Sequence, residues 1–233
     1  MKSVSKLAIA AILLSTSASF AATYNLSDDF SNDVGADNPW SYGTYGLGGD
    51  YTTFSAFTKV TNVEGLGLDG YEPTRYFGIL QNTGTSQVTR NGTQFFDPGA
   101  VVIHPNSNGE VAVVRWTAQE DTSLTLAGSL DPADIFSTAV GFNIYDEGTS
   151  LFSTAINSGN PNDSFSLAFN VSAGDRIDFV LDWGADNSWA FDAIDLSAEF
   201  VTADVSAVPL PASLPALLAG LGAFGALRSR RKS

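Results

Sequence analysis

RIDFVLDW, residues 176–183, alternates apolar and polar side chains with a period of two. Ile177, Phe179 and Leu181 fall on one face, and the charged residues fall on the other. A period of two is that of a β-strand, in which successive side chains point to opposite sides of the sheet. We therefore predict a strand that packs one face on the core and turns the other to water.

The same alternation recurs in two neighbouring stretches. SFSLAFNV, residues 164–171, places its large apolar side chains on one face, and residues 194–200 repeat the pattern. The residues Ser172-Ala173-Gly174-Asp175 separate the stretch 164–171 from RIDFVLDW, and their composition is typical of a tight turn. We therefore predict that the strands on either side of this turn form a β-hairpin.

Short alternating stretches extend along most of the chain. Turn residues such as Asn108-Gly109 and Asp131-Pro132 separate them, and helical periodicity is hard to find. The pattern predicts an all-β fold, a two-sheet antiparallel sandwich of jelly-roll-like type. The further strands predicted are 100–104, 110–117, 122–128, 139–145 and 151–156, with weaker ones at 24–30, 51–59, 76–81 and 85–90.

The first 21 residues have the composition of a secretory signal peptide. Lys2 and Lys6 precede an apolar stretch at 7–14, and Ser19-Phe20-Ala21 provides small residues at the cleavage positions. About eight apolar residues are too few to span a bilayer as a helix, which argues against an uncleaved anchor. We predict cleavage after Ala21 and export by Sec-type machinery.

The other end of the chain predicts a membrane segment. No residue from Leu210 to Leu227 carries a charge, and a basic cluster follows directly. Such a run suits a transmembrane helix, and basic residues close behind it favour the cytoplasmic side. This orientation puts the preceding domain outside the cytoplasm. The basic cluster consists of Arg228, Arg230, Arg231 and Lys232.

Residues 208–232 resemble the PEP-CTERM sorting signal of Gram-negative surface proteins. The motif Val208-Pro209-Leu210-Pro211-Ala212, the apolar helix and the Arg-rich end resemble its VPLPA-CTERM variant. The resemblance implies processing by an exosortase-type membrane enzyme. It also implies a final location at the cell surface or in an exopolysaccharide matrix. The alternative is an ordinary C-terminal anchor helix without processing.

These ends divide the chain into a signal peptide at 1–21, an exported domain at 22–203 and a sorting signal at 204–233. The stretch 22–207 holds five basic and 25 acidic residues, a formal charge of −20. A surface of that sign repels phosphate backbones, so the charge argues against nucleic acid as a partner and favours cations. The chain contains no cysteine, so the domain depends on its core and not on disulfides.

Several aromatic residues lie in segments rich in glycine and polar residues. Trp40 and Tyr42 belong to such a segment at 32–68, and Trp189 ends the polar turn that begins at Trp183. Loops commonly carry binding residues, and aromatic rings offer an apolar face beside polar groups. We predict Trp40, Tyr42 and Trp189 as ligand-binding residues for polysaccharide, with core packing as the alternative.

Three carboxylates predict a calcium site. Asp28 lies near the first strand and Asp192 and Asp195 near the last, and a sandwich often brings its terminal strands together. Calcium takes about six to eight oxygen ligands, many of them carboxylates. These stretches faintly resemble the calcium-tethered jelly-rolls of carbohydrate-binding modules. The alternative is a set of solvated acidic edges.

The sequence gives little support for a catalytic site. His104 is the single histidine, and no Gly-x-Ser-x-Gly motif is present to carry a nucleophile. Arg115 is one of five basic residues in the domain, and we expect it to act as a structural clamp, paired with a carboxylate or stacked on an aromatic ring.

The sequence therefore predicts a non-catalytic protein at the cell surface or in an exopolysaccharide matrix, with carbohydrate as its candidate ligand. A polysaccharide hydrolase or lyase on the same fold is the first alternative, and a purely structural surface protein is the second.

Overall fold

The computed structural model describes residues 21–30, 38–45, 50–135, 139–157 and 162–203. Residues Ala22–Ala203 form one compact unit. The predicted transmembrane helix, the sorting motif and the basic cluster lie outside the described residues, as does the predicted signal peptide up to residue 20.

Strands account for most of the regular structure in the described residues. Three single-turn 3-10 helices accompany them: η1 (Tyr51–Thr53), η2 (Val63–Gly65) and η3 (Gly184–Asp186). No helix in the described part of the chain has the length and apolarity to cross a membrane. The strands are β1 (Thr23–Asn25), β2 (Trp40–Tyr45), β3 (Ser55–Ala56), β4 (Lys59–Val60), β5 (Leu68–Thr74), β6 (Phe77–Asn82), β7 (Val88–Arg90), β8 (Gln94–Phe96), β9 (Val101–His104), β10 (Val111–Thr117), β11 (Thr122–Pro132), β12 (Val140–Asp146), β13 (Thr149–Ile156), β14 (Asp163–Val171), β15 (Arg176–Asp182) and β16 (Ile194–Thr202).

The strands form two large antiparallel sheets and one small ribbon. The first sheet has eight strands in the order β14-β11-β16-β9-β6-β5-β4, with β1 added beside β16. The second sheet has six strands in the order β13-β12-β15-β10-β2-β3, and the ribbon pairs β7 with β8. The predicted all-β class with antiparallel sheets is confirmed.

The main core lies between the two large sheets and is rich in aromatic rings. Phe200 of β16 stacks on Trp116 of β10 with ring centroids 4.3 Å apart, and the rings of Phe142 and Phe165 lie 6.1 Å apart. Aromatic pairs of this kind contribute about 1 kcal/mol each beyond the area that they bury. The inward residues predicted for β15 are all buried in this core.

The predicted hairpin between β14 and β15 is wrong. β14 pairs with β11 in the first sheet, whereas β15 lies between β10 and β12 in the second. The connection is nevertheless a tight turn, because Ser172 N–H donates to Asp175 Oδ2 at 2.7 Å and Asp175 N–H donates to Ser172 O at 3.0 Å. A turn motif sets the local chain direction, but core packing decides which strands pair, so this turn crosses from one sheet to the other.

The prediction that one face of β15 is exposed to water is also wrong. Asp178 and Val180 are buried because the segment around η1 covers this side of the sheet. Arg115 of β10 donates to Asp178 through Nε and Nη2, at 2.7 Å and 2.9 Å, and its guanidinium lies 4.1 Å from the ring centroid of Phe54. The hydroxyl of Tyr45 donates to the same carboxylate. The expectation that Arg115 is a clamp is therefore confirmed.

Strand β2 lies where the sequence suggests a loop. It pairs with β10 over its whole length and with β3 on its other side. Gly43 permits the second pairing, because a Cβ atom there would stand 2.3 Å from the backbone oxygen of Ser55. Alternation is weak in β2 because side chains on both of its faces are buried, which removes the contrast that a sequence pattern needs.

A second, smaller core lies on the outer face of the eight-stranded sheet. Leu80 of β6 and Val102 of β9 pack there with Phe96 of β8. The β7–β8 ribbon thereby covers part of this face. The rim of this outer layer carries the candidate site.

Candidate functional site

A cleft of about 160 Å³ opens at the rim of the outer layer. We name it the Trp189 cleft. Aromatic and polar side chains converge on it from the β5–β6 turn, the β7–β8 ribbon, the end of β9 and the loops that precede β12 and β16. The lining residues are Tyr76, Asn91, Thr93, Gln94, His104, Asp134, Trp189, Ala190 and Phe191.

An ion-pair network holds the Tyr76 side of the cleft. The buried Arg90 donates through Nη1 to Glu72 Oε1 at 2.6 Å and through Nη2 to Glu64 Oε1 at 2.9 Å. The guanidinium groups of Arg90 and Arg75 each lie 4.7 Å from the ring centroid of Tyr76. The two arginines and two glutamates offset one another, so the ring is held without a net charge beside it.

Two bulky residues of the cleft have an unusual backbone conformation. Tyr76 has φ of 70° and Phe191 has φ of 67°, in the left-handed region that large side chains rarely adopt. Each such residue costs about 1 kcal/mol or more and persists where the surrounding structure enforces it, often at ligand sites. Both strained residues line the Trp189 cleft.

The cleft exposes aromatic surface. Trp189 is 37% exposed and Phe191 is 36% exposed, and with Ile135 they are the exposed large apolar side chains of the described residues. Concave sites with a few polar groups among apolar rings are typical of ligand binding.

His104 presents a hydrogen-bond acceptor to the cleft. Its Nδ1 lies 2.8 Å from the carbonyl oxygen of Pro105, which can only accept, so Nδ1 carries the proton. Burial lowers the pKa of His104 to about 4, so the ring is neutral and Nε2 is the acceptor. The ring centroid lies 6.1 Å from that of Trp189.

Two buried side chains of the cleft have oxygen atoms without partners. Gln94 is 6% exposed and Asp134 is 7% exposed. Ala193 N–H donates to Asp134 Oδ2 at 3.1 Å, and the side chains of Thr93 and Gln94 help to stabilise the charged carboxylate. Among the residues that the structure describes, Asp134 Oδ1 and Gln94 Oε1 have no hydrogen-bond partner. Buried polar atoms are nearly always satisfied, and two of the seven exceptions among the described residues belong to side chains that line this cleft.

Replacing Asp134 by asparagine should stabilise the protein at neutral pH. Burial raises the pKa of Asp134 from 3.8 to about 6, so folding favours the protonated carboxyl, and its contribution is lost as the pH rises through about 6. Asp134→Asn should match the wild type at pH 4 and exceed its free energy of unfolding by about 2 kcal/mol at pH 7.5. Urea unfolding at both pH values measures this, and a difference that does not change with pH would contradict it.

A second groove, of about 460 Å³, adjoins the cleft at Trp189. It is lined by the β5–β6 turn and the loop at 105–108, and it shares Tyr76 and Trp189 with the cleft. Trp189 therefore lines both concavities, so a ligand that occupies both would contact it.

Of the three predicted ligand-binding residues, the structure puts Trp189 on the surface and buries the other two. Trp40 and Tyr42 are 0% and 1% exposed. Trp40 lies 5.8 Å from the ring of Phe200, and Tyr42 stacks on Tyr71 at 4.6 Å. The prediction is wrong for Trp40 and Tyr42, because β2 is an inner strand of the second sheet and its side chains pack in the core.

The structure does not assemble the predicted calcium ligands, although β1 and β16 pair as expected of the terminal strands. Asp28 is exposed, Asp192 is fully buried and Asp195 is half-buried. Burial and the charges of Asp131 and Asp97 raise the pKa of Asp195 to about 6. Within the described ranges, no group of three or more carboxylate, histidine or cysteine side chains is arranged to hold a metal ion. The three predicted ligands therefore do not form one site.

Most residues that line the cleft could not be predicted from the sequence. Tyr76, Gln94 and Asp134 come from separate parts of the chain, and no local pattern marks them. One signal is available: Phe191 shares with Trp189 a stretch of small and polar residues without alternation. Large apolar residues in such a stretch are typical of an exposed loop with a binding role.

The fold and the cleft define an antiparallel, all-β protein with a small concave site on the outer side of one sheet. No family model and no curated protein matches the sequence.

Solved structures with similarity to this chain include carbohydrate-binding modules. The tandem CBM51 modules of a family 98 glycoside hydrolase from Streptococcus pneumoniae are 14% identical, with a TM-score of 0.43, over 82% of this chain and 50% of that one. CBM51 from Clostridium perfringens GH95, in complex with methyl-galactose, is 12% identical, with a TM-score of 0.34, over 63% of this chain and 97% of that one. CBM35 from Paenibacillus barcinonensis is 11% identical, with a TM-score of 0.30, over 78% and 98%. At these values the similarity assigns no function to this chain.

Proposed function

We propose that this protein is an exported, non-catalytic β-sandwich that binds carbohydrate in the Trp189 cleft. The observation that carries the proposal is the convergence of the exposed rings of Trp189 and Phe191 with the unpartnered oxygens of Gln94 and Asp134. A sugar ring has an apolar face that packs on an aromatic ring and hydroxyl groups that donate to buried oxygens. The groove beyond Trp189 gives room for a second sugar unit.

The proposal includes the route by which the domain reaches its ligand. The signal peptide at 1–21 directs export by Sec-type machinery, and the apolar run at 210–227 holds the chain in the inner membrane. An exosortase-type enzyme then recognises the motif at 208–212. The domain ends at the cell surface or in an exopolysaccharide matrix, where polysaccharide is abundant.

Trp189→Ala should weaken carbohydrate binding by about tenfold or more, since a tryptophan in a binding site commonly contributes at least that much. A glycan array on the purified protein identifies the oligosaccharides that bind, and calorimetric titration of the best of them compares the variant with the wild type. Ile135→Ala is the matched control, because Ile135 is similarly exposed but does not line the cleft.

Three outcomes bear on the proposal. Binding that Trp189→Ala reduces and Ile135→Ala does not would support it, and the absence of any glycan binding by folded wild-type protein would overturn it. Release of sugar products from a bound polysaccharide would favour the hydrolase or lyase alternative. That alternative would need a second carboxylate about 5 to 9.5 Å from Asp134, which is the single carboxyl residue among the described lining of the cleft.

A further inference from the structure

Asp134 gives the Trp189 cleft a local negative charge. Of the described residues that line the cleft, Asp134 is the one acidic residue, and it is mainly ionised above about pH 6, where His104 is neutral. Arg90, which lies against the ring of Tyr76, is already paired with two glutamates. No described cation of the cleft therefore offsets Asp134.

Among the described residues that line the cleft, buried side chains hold acceptor atoms without partners, beside donors on Thr93, Gln94 and Trp189. Asp134 Oδ1 and Gln94 Oε1 lack partners among the described residues, and the proton on His104 Nδ1 leaves Nε2 as an acceptor. A ligand that satisfies these atoms must bring hydrogen-bond donors. An ammonium group is the strongest such ligand, since it carries three donors and a positive charge.

The negative charge of the whole domain also favours a cationic ligand. The stretch 22–207 carries a formal charge of −20, which attracts cations and repels anions at long range. The ring of Trp189 adds a local attraction, because the face of an indole ring favours a cation nearby. Carbohydrates with carboxylate or sulfate groups are disfavoured on both grounds.

We infer that the Trp189 cleft selects carbohydrate with a free amino group, held as an ammonium against Asp134 while the sugar ring packs on Trp189. The inference rests on the proposed carbohydrate-binding function and narrows it to amino sugars. A buried carboxylate without a cation is costly in the free protein, and the ligand's ammonium would offset that cost. A neutral sugar would satisfy the same oxygens through its hydroxyl groups but would leave the charge uncompensated.

The test compares two ligands of equal length that differ at the amino group. The full chain is titrated by calorimetry at pH 6.5 with a glucosamine oligosaccharide and with its N-acetylated counterpart. The glucosamine form should bind about tenfold more tightly, the ratio expected for one hydrogen bond to a charged group. Asp134→Asn should remove most of this preference, because it weakens binding of the glucosamine form more than binding of the N-acetylated form.

A matched charge control separates local recognition from the overall field. Glu120→Gln removes an exposed carboxylate outside the cleft and should preserve the preference. Equal or tighter binding of the N-acetylated form, or an equal loss of preference in Glu120→Gln and Asp134→Asn, would overturn the inference while the proposed function stands. Failure of every sugar to bind, with the protein folded by circular dichroism, would overturn the function as well.

Discussion

Trp40→Ala should lower the free energy of unfolding by about 3 to 5 kcal/mol, whereas Trp189→Ala should change it by no more than about 0.5 kcal/mol. Trp40 is fully buried between the sheets, within 5.8 Å of Phe200 and 6.2 Å of Phe179 by ring centroids. Removing it takes away a large buried apolar surface and leaves a cavity that stiff neighbouring strands cannot fill. Trp189 lies at the rim, where truncation leaves no enclosed cavity.

Urea unfolding of the two variants and the wild type measures both effects. Trp40→Phe is the control, because it keeps a ring in the core and should recover much of the lost stability. Similar losses for Trp40→Ala and Trp189→Ala would contradict the burial difference on which the candidate site depends. For carbohydrate binding, the proposed function predicts the reverse order: Trp189→Ala should weaken binding more than Trp40→Ala does in the folded protein.

Asp178→Asn should lower the free energy of unfolding by about 3 to 5 kcal/mol, because it leaves the charge of Arg115 buried without a counter-charge. Asp178 accepts two hydrogen bonds from Arg115 and one from the hydroxyl of Tyr45. Burial raises the pKa of Tyr45 above its ordinary value, so this hydroxyl stays protonated and donates to Asp178. The substitution therefore disturbs three groups on the covered face of the second sheet.

The matched control is Glu147→Gln, which breaks a pair of the same chemistry at the surface. Arg176 Nε donates to Glu147 Oε1 at 2.8 Å, and both side chains are more than a third exposed. Solvent screening limits such a pair to about 1 kcal/mol or less. Thermal and urea unfolding should separate the two variants clearly, and losses of equal size would show that burial of Asp178 is not what makes it important.

The fold could be predicted from alternation where a strand has two unlike faces. The predicted strands at 164–171 and 194–200 correspond to β14 and β16, and their inward residues contact the core. β2 and β5 are absent from the prediction, because both of their faces carry buried or half-buried residues. The sequence therefore shows no alternation between an apolar and a polar face. The pairing of β14 and β15 could not be predicted, because a turn of four residues is compatible with either one sheet or two.

Only one residue of the candidate site, Trp189, was predicted from the sequence. Trp189 follows a polar turn, and the structure puts it at the cleft. Trp40 has similar polar and glycine neighbours but lies in the core, so local composition did not distinguish the two tryptophans. The partners of Trp189 are brought to it by long-range pairings, including the isolated antiparallel bridge between Gln94 of β8 and Asp134.

The sequence by itself determined the class of fold, the faces of the well-patterned strands and the acidity of the domain, because these depend on residue type and spacing along the chain. The tertiary structure alone decided which strands became neighbours, which tryptophan was buried and which carboxylate was enclosed with one oxygen unpaired among the described residues. Those outcomes depend on how two sheets and an outer ribbon pack, and packing joins residues that lie far apart in the sequence. The Trp189 cleft is a product of that packing.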